Sequence, residues 1–263
     1  GVEYVNICYE VTLQVLTTVV RESVVKRTAL FLGVLALSSC GCGFPVWADS
    51  GSQGAAFLEI PVGARPAALG NAYSALATDA YSPTWNPAGL GFLESTQLSG
   101  QHLSYLESIH YEYISFVRPL QPGHSLGASI QYLGSGDIAG TDLSGNSIGD
   151  FSSHYASYNL AYGQALNDKF SIGATAKVIQ AAISDVSASA YAVDAGLMIR
   201  ANEKLTLAGV VTNLGSKLTF LSQGDSLPVA VKLGGAYRVR KDWLMSAEGV
   251  YRKGGINSFH LGT

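Results

Sequence analysis

From about Ser95 onward, apolar and polar residues alternate along the chain with the period of two that is typical of β-strands. Between Phe170 and Val178 the even positions are apolar, whereas the odd positions carry Ser, Gly, Thr and Lys. Similar alternation recurs in residues 191–200 and 229–238. The pattern predicts an all-β region whose strands have one apolar face and one face of small, polar or charged residues.

Nine strands and the start of a tenth follow from this pattern. We place them at residues 96–105, 110–119, 124–133, 152–165, 169–181, 189–200, 204–213, 227–239 and 242–252, with the tenth beginning near Asn257. Most have about ten residues, the length that a tilted strand needs to cross a bilayer. Strands of soluble sandwiches more often have about five or six. The strand lengths therefore favour a membrane sheet.

The predicted connections alternate between short and long. Tight turns are expected at residues 121–123, 167–168, 201–203 and 240–241, and longer connections at 134–151, 182–188 and 214–226. An antiparallel up-and-down transmembrane β-barrel, with short periplasmic turns and longer outer loops, produces this alternation. A secreted β-sandwich with a Greek-key topology is the alternative, although that topology gives no reason for the alternation.

The strand count predicts that the sequence is a piece of a longer protein. An open sheet edge in lipid leaves backbone groups unpaired, and bacterial barrels favour an even number of strands. Nine strands and a fragment that stops at Thr263 supply no closing segment. We therefore expect the barrel, assigned to residues 95–263, to be incomplete at its C-terminus.

The N-terminal region carries the features of an export signal. Lys26 and Arg27 precede an apolar run of about twelve residues, too short to span a membrane, and small residues at 46–48 offer a cleavage site. We assign residues 24–48 to a signal peptide. Residues 1–23 are then a probable upstream extension, because the chain does not begin with Met.

A lipoprotein signal is the competing interpretation of this region. Residues 37–40 read Leu-Ser-Ser-Cys, which resembles a lipoprotein box and would make Cys40 a lipidated N-terminus. All three cysteines precede the proposed cleavage site. After cleavage by signal peptidase I, the mature chain would therefore have neither disulfides nor a reactive thiol.

Composition agrees with an apolar outer surface. The chain is 48% hydrophobic and only 13% charged, whereas an ordinary soluble domain has about 25% charged residues. This balance suits strands in contact with outer-membrane lipid. The net charge of −3 argues against a nucleic-acid partner.

Residues 79–93, DAYSPTWNPAGLGFL, form a stiff segment just before the first strand. Its prolines and glycines predict turns and close backbone approach. Upstream, Pro66 is expected to begin a short helix that runs to about Ala77, because its fixed φ suits a first helical turn. We expect this region to fold into a compact structural plug, with its aromatic side chains packed against the barrel wall. An ordinary helix-to-strand connection at the barrel mouth is the alternative.

Residues 57–80 resemble the N-terminal block of the PorV/PorQ family, and residues 86–90, Asn-Pro-Ala-Gly-Leu, resemble a turn shared with FadL-type fatty-acid transporters. The resemblance covers about residues 54–263. It implies a FadL-like outer-membrane barrel of about fourteen strands, with a small N-terminal hatch at residues 49–94. The hatch residues that match the pattern are Arg65, Gly70, Asp79, Asn86, Pro87, Gly89 and Leu90.

The resemblance also implies a function. The best-known member serves the type IX secretion system, so this chain would be a binding or assembly component that recognises exported cargo proteins or secretion-system components. The alternative is a FadL-like transporter of small hydrophobic molecules. A transporter should have a contiguous apolar pocket inside the barrel.

Six charged residues fall on the strand faces opposite the apolar ones and are expected to face the barrel lumen. They are Lys177, Asp194, Arg200, Lys232, Arg238 and Glu248. Lys177 and Asp194 lie on adjacent predicted strands and are the best candidates for an ion pair. Such charges serve either as a structural ladder or as a lining that contacts a ligand.

No catalytic pattern is found in the sequence. The five histidines lack metal-ligand spacing, and a nucleophile elbow and a P-loop are both missing. We expect no enzyme activity, no cofactor and no bound metal.

Overall fold

The computed structural model of the protein describes residues 53–105 and 108–263. The predicted upstream extension, the signal peptide and the alternative lipid-attachment site at Cys40 lie outside the described residues. Of the residues that are described, none belongs to a helix long and apolar enough to traverse a bilayer.

Residues 53–96, the N-terminal segment, contain only short helical turns. These are the 3₁₀ helix Ala56–Glu59, the α-helices Ala64–Ala68 and Ser82–Trp85, and the 3₁₀ helix Pro87–Phe92. The predicted helix from Pro66 to Ala77 is wrong, because the helix ends at Ala68. Gly70 and Asn71 follow with φ values of 58° and 67°, which an α-helix cannot accommodate.

Twelve strands occupy the rest of the described chain. They are β1 (Gln97–Ser104), β2 (His110–Gln121), β3 (His124–Thr141), β4 (Ser147–Ala165), β5 (Phe170–Ile183), β6 (Val186–Arg200), β7 (Leu205–Gly215), β8 (Leu218–Phe220), β9 (Gln223–Asp225), β10 (Ala230–Arg240), β11 (Trp243–Arg252) and β12 (Ser258–Gly262).

Ten of these strands form one antiparallel sheet in chain order, β1 to β7 followed by β10, β11 and β12. The two remaining strands, β8 and β9, pair with each other as a small hairpin. The predicted all-β chain with neighbouring, up-and-down strands is confirmed. Within the described residues, β1 and β12 each pair on one side only, so they are the edges of the sheet.

The four tight turns are confirmed, but two of the long connections are shorter than predicted. β3 continues to Thr141 and β4 begins at Ser147, so most of the region 134–151 is paired strand. Between β5 and β6 only Ser184 and Asp185 remain unpaired. The hairpins at this end of the sheet, which we call the loop end, are long strands with short tips. The opposite end, with the tight turns, is the turn end.

The two faces of the sheet have opposite character, and the apolar face is the exposed one. Large side chains such as Leu98 (71% exposed), Leu233 (67%) and Phe259 (68%) point outward. The other face is buried and largely polar. Its buried polar and charged residues include Ser115, Ser129, Gln131, Ser157, Asn159, Ser171, Thr175, Lys177, Asp194, Ser246 and Glu248.

The N-terminal segment covers the polar face. Strands at one edge and in the middle of the sheet reach it, since Gln101 of β1 accepts a hydrogen bond from Gly63 N, and Thr175 Oγ1 of β5 donates to Pro83 O at 2.8 Å. At the other edge, His260 Nδ1 of β12 lies 2.9 Å from Gly70 O. The sheet is therefore curved around the segment.

Candidate functional site

Three glycines on adjacent strands form the surface on which the Asn-Pro-Ala-Gly-Leu motif packs. We call this surface the seat of the motif. Gly163 of β4 lies opposite Gly173 of β5, which lies opposite Gly196 of β6. A Cβ atom at Gly173 would clash with the backbone of Pro87, and one at Gly196 would clash with the Asn86 side chain. The missing side chains therefore allow the 3₁₀ helix to lie directly on the sheet.

Asn86 fixes the motif on this glycine row. Its extended backbone and its Oδ1, which accepts a hydrogen bond from Ala88 N at 3.0 Å, cap the 3₁₀ helix. Its Nδ2 donates to Ser74 O at 3.0 Å and to Leu197 O of β6 at 3.4 Å. One buried amide thus joins two parts of the N-terminal segment to the sheet.

Gly89 and Leu90 complete the seat. Gly89 has no room for a Cβ against Ala77 O, which confirms the predicted close approach, although its φ is not positive. Leu90 is fully buried in an apolar cluster with Val117 and Ala161. These contacts make the predicted motif a docking element.

Asp79 organises the middle of the N-terminal segment. Its Oδ2 accepts a hydrogen bond from the Tyr73 hydroxyl, and its Oδ1 accepts one from Tyr81 N at 3.0 Å. Arg65 Nη1 lies 3.5 Å from Asp79 Oδ2. Burial, together with the neighbouring Asp79 carboxylate, raises the pKa of the Tyr73 hydroxyl, so this tyrosine is a neutral donor.

The aromatic side chains of the segment pack against the sheet, as predicted. Tyr81 stacks on Tyr113 of β2 with ring centroids 5.9 Å apart. Trp85 donates its Nε1–H to Val62 O at 2.9 Å. The Arg200 guanidinium of β6 lies 3.8 Å above the Phe92 ring, a cation–π contact that holds one charge near the turn end.

The predicted ion pair between Lys177 and Asp194 is present and almost fully buried. Lys177 Nζ lies 2.7 Å from Asp194 Oδ2. Asn213 of β7 joins the pair, because its Oδ1 accepts a hydrogen bond from Lys177 at 2.8 Å and its backbone N–H donates to Asp194 Oδ1 at 2.7 Å. The two charges are therefore compensated by each other and by a third residue.

Glu248 of β11 has a different partner, the backbone of the N-terminal segment. Its Oε2 accepts hydrogen bonds from Tyr73 N at 3.2 Å and from Ser74 N at 2.8 Å. Its Oε1 is buried without a hydrogen-bond partner among the described residues. The ammonium of Lys232, on the neighbouring strand, lies 5.0 Å from the Trp85 ring centroid.

In the part of the chain that the structure describes, cavities lie next to the N-terminal segment. A small one of about 80 Å³ lies between Trp85, Lys232 and Glu248. A second, of about 490 Å³, lies at the turn end and is lined by Arg65, Arg200 and Arg238. A third, of about 360 Å³, lies at the loop end and is lined mainly by apolar residues, including Phe57, Leu133, Tyr155 and Phe220.

The six predicted charges all lie on the polar face but do not form a single site. Lys177, Asp194, Lys232 and Glu248 lie in the interior, whereas Arg200 and Arg238 lie at the turn end. Within the described part of the chain, His, Cys, Asp and Glu side chains form no group of three that could hold a metal ion. The arrangement is suited to holding a segment and binding a ligand.

The roles of Asn213 and Tyr73 were not predicted from the sequence. Asn213 adopts a φ of 59°, a conformation that asparagine tolerates better than most residues. This property was a usable signal, because an asparagine at the end of a predicted strand favours such a backbone. Tyr73 gave no signal, since its partner Asp79 becomes a neighbour only through the turns of the N-terminal segment.

The chain is similar to a known protein family and to several solved structures. The family described as "Type IX secretion system protein PorV" matches residues 51–245. Among solved structures, the TodX deltaS2S3 mutant monoaromatic hydrocarbon channel is similar, with 12% identity and a TM-score of 0.47. That similarity covers 65% of this chain and 65% of the channel's chain. No curated protein matches.

Proposed function

Since the chain belongs to the PorV family of type IX secretion system proteins, we propose that it spans the outer membrane as a β-barrel. In this proposal it serves as a binding and assembly component for the export of proteins to the cell surface. It is not an enzyme, needs no cofactor, and has outer-membrane lipid and exported or secretion-system proteins as partners.

The sheet exposes its apolar face and buries its polar face, and this observation supports the membrane part of the proposal. Soluble sheets bury their large apolar side chains, whereas here Leu160, Leu233 and Phe259 are exposed and Asp194 and Glu248 are buried. Contact with lipid removes this apolar surface from water. Unpaired backbone groups at a strand edge are unfavourable in lipid. A complete barrel would therefore have further strands next to β1 and β12. About fourteen strands is the number that we propose.

The filled interior supports a binding role over an open channel. The 3₁₀ helix Pro87–Phe92 lies on the glycine row of β4, β5 and β6, and Glu248 holds the backbone of Tyr73 and Ser74 from the other side. The N-terminal segment is thus fixed from two sides as a plug. Partners would then meet the protein at its ends.

The loop end offers the larger contact surface. The β3–β4 hairpin extends to a tip at residues 142–146, and the β8–β9 hairpin lies between β7 and β10. Each tip carries a fully or largely exposed leucine, Leu143 and Leu221. We place the recognition of exported proteins on these two hairpins.

Localisation is tested first, with the full-length gene expressed with its own signal in a Gram-negative host. We expect the protein in the outer-membrane fraction, as a band that migrates differently in heated and unheated gel samples, because a closed barrel resists detergent until it is heated. A periplasmic protein without a mobility shift would exclude the barrel and the export role together.

Photo-crosslinking in a host with type IX secretion tests the partner. A photoreactive amino acid replaces Leu143 or Leu221, and Leu166 at the turn end is the matched control, because it is also an exposed leucine. We expect adducts with exported proteins or secretion components from positions 143 and 221. Adducts from position 166 alone would contradict recognition at the loop end.

The apolar cavity at the loop end favours one second candidate, passage of small hydrophobic molecules. Its volume of about 360 Å³ and its lining by Phe57, Leu133 and Tyr155 suit a small apolar ligand. Replacement of Leu133 by Asp would abolish binding of an apolar fluorescent probe if this candidate is correct. Unchanged probe binding, together with crosslinks to exported proteins, would leave the export role.

A further inference from the structure

Three arginines line the turn-end cavity, and contacts with the N-terminal segment occupy only part of their hydrogen-bond donors. We call it the arginine cavity, after Arg65, Arg200 and Arg238, which all line its volume of about 490 Å³. The three arginines come from the N-terminal segment, from the end of β6 and from the end of β10. The fold thus brings together three guanidinium groups that are far apart in sequence.

Two of these arginines form no salt bridge among the described residues, although Glu94 lines the same cavity and acts on Arg200 at longer range. No carboxylate of those residues lies within 4.0 Å of the guanidinium of Arg200 or Arg238, whereas Arg65 is 3.5 Å from Asp79. The Phe92 ring beneath Arg200 holds its guanidinium in place. A guanidinium that is held this way keeps its hydrogen-bond donors available and loses little entropy when it binds an oxyanion.

The rest of the lining shows that the cavity suits more than a bare anion. Ala75, Leu76 and Met198 provide an apolar part of the wall. Glu94 and Glu203 also line the cavity, which gives donors on a ligand possible acceptors. A volume of about 490 Å³ is in the range of cavities that take small organic ligands or a few side chains.

We propose that the arginine cavity binds the carboxylates of an acidic peptide segment that enters from the turn end. The carboxylates would pair with Arg200 and Arg238, and an apolar side chain between them would lie against Leu76 and Met198. This choice of ligand rests on the proposed function, because short barrel turns face the periplasm, where exported chains arrive. A peptide also brings backbone N–H donors for Glu94 and Glu203 and apolar atoms for Leu76 and Met198, which free phosphate lacks.

Fluorescence anisotropy with the full-length protein in neutral detergent tests the proposal. The probe is a fluorescein-labelled pentapeptide with two glutamates that flank a leucine, and the matched probe has glutamines instead. The glutamate peptide is expected to bind at least about tenfold more tightly, because charge-assisted hydrogen bonds are the stronger ones. Binding should also weaken when salt is raised, since the cavity is open to solvent.

Two variants assign the binding to the cavity. Arg200→Gln and Arg238→Gln should each weaken the glutamate peptide about tenfold to a hundredfold. Arg240→Gln is the control, because it removes the same charge from the same end of the sheet but does not line the cavity. An unchanged heat-dependent gel shift shows that each variant remains folded.

Other ligands of the same charge give outcomes that overturn the proposal. Equal binding of the two peptides, or equal loss in the Arg240→Gln control, would exclude specific carboxylate recognition. So would displacement of the peptide by inorganic phosphate at equal concentration, or binding of phosphatidylglycerol micelles without binding of the peptide. These measurements are made in detergent, so their failure is distinguishable from failure of the membrane localisation.

Discussion

The two faces of the ten-stranded sheet are made by the same strands and differ in almost every other respect. On the outward face, large apolar residues stand in a band without partners in the described chain. On the inward face, small and polar residues meet the N-terminal segment, and Lys177, Asp194 and Glu248 are buried among hydrogen bonds. Alternation alone creates both faces, but the segment that lies on one of them decides which becomes the interior.

Substitutions in the buried pair of Lys177 and Asp194 should have the largest effect on stability, and they test the difference between the two faces. Lys177→Met should cost about 3–5 kcal/mol in the free energy of unfolding, because it leaves the Asp194 carboxylate buried without a cation. The double variant Lys177→Met/Asp194→Asn should lose less, since it removes both charges. Val178→Ala, the next residue on the outward face, should cost about 0.5 kcal/mol or less.

Urea unfolding of the protein in lipid vesicles measures these values, with the gel shift as a second probe. If Lys177→Met and Val178→Ala cost the same, the inward face would not be a low-dielectric interior.

An arginine on the outward face gives the next largest effect. Leu160→Arg should destabilise the vesicle-folded protein by about 2–4 kcal/mol, because a charge near the bilayer midplane must be desolvated. Leu166→Arg, in the turn between β4 and β5, should cost only about 0–1 kcal/mol near the interface. Equal costs at both positions in the same unfolding experiment would contradict a lipid-facing surface.

Glycine-to-alanine substitutions test the two faces by adding only a methyl group to each. Gly173→Ala should cost about 1–3 kcal/mol, because its methyl group would press against the Pro87 backbone. Gly249→Ala is the control on β11, where an added Cβ meets nothing within 4 Å. Unfolding of the two variants side by side should show a loss for Gly173 only. A stable Gly173→Ala protein would mean that the 3₁₀ helix is not seated on the glycine row.

The smallest effect is expected at the loop end, outside both faces. Hydrogen bonds from Asn146 lower the pKa of Asp142 below its ordinary value of 3.8. A lowered folded-state pKa stabilises the tip of the β3–β4 hairpin above pH 3.8, and this contribution is lost as the pH falls through the folded value. The protection of Asn146 N against hydrogen exchange, relative to an unfolded peptide at the same pH, should therefore fall as the pH drops through the folded-state pKa of Asp142. Asp142→Asn should remove the pH dependence.

Most of the sheet was predictable from sequence because strand alternation is a property of the backbone. The ten strand positions and the four tight turns follow from it. The extensions of β3 and β4 did not, since residues 134–149 are rich in glycine and lack alternation, although the two strands remain paired there, as at Ala139 and Asp150. Gly70 and Asn71, which both tolerate positive φ, were a usable stop signal that the predicted helix to Ala77 overlooked.

The candidate site was predictable only where its partners are close in the sheet. Lys177 and Asp194 lie on strands joined by one hairpin, so their pairing could be foreseen. The partners of Glu248 could not, since Tyr73 N and Ser74 N are backbone groups that any sequence would supply. The arginine cavity combines residues from three distant elements, and only the fold brings them together.

The hydrogen bond from Tyr73 N to Glu248 constrains the order in which parts of the protein can fold. The two residues are 175 positions apart, so the segment that contains Tyr73 is made well before the strand that holds it. Contacts between residues so far apart in sequence make folding slow, because the entropy of loop closure is lost before the contacts can stabilise the chain. Until β11 is made, the backbone N–H groups of Tyr73 and Ser74 lack their acceptor, Glu248. The unfinished protein is therefore expected to need a chaperone that shields its apolar strands during transit.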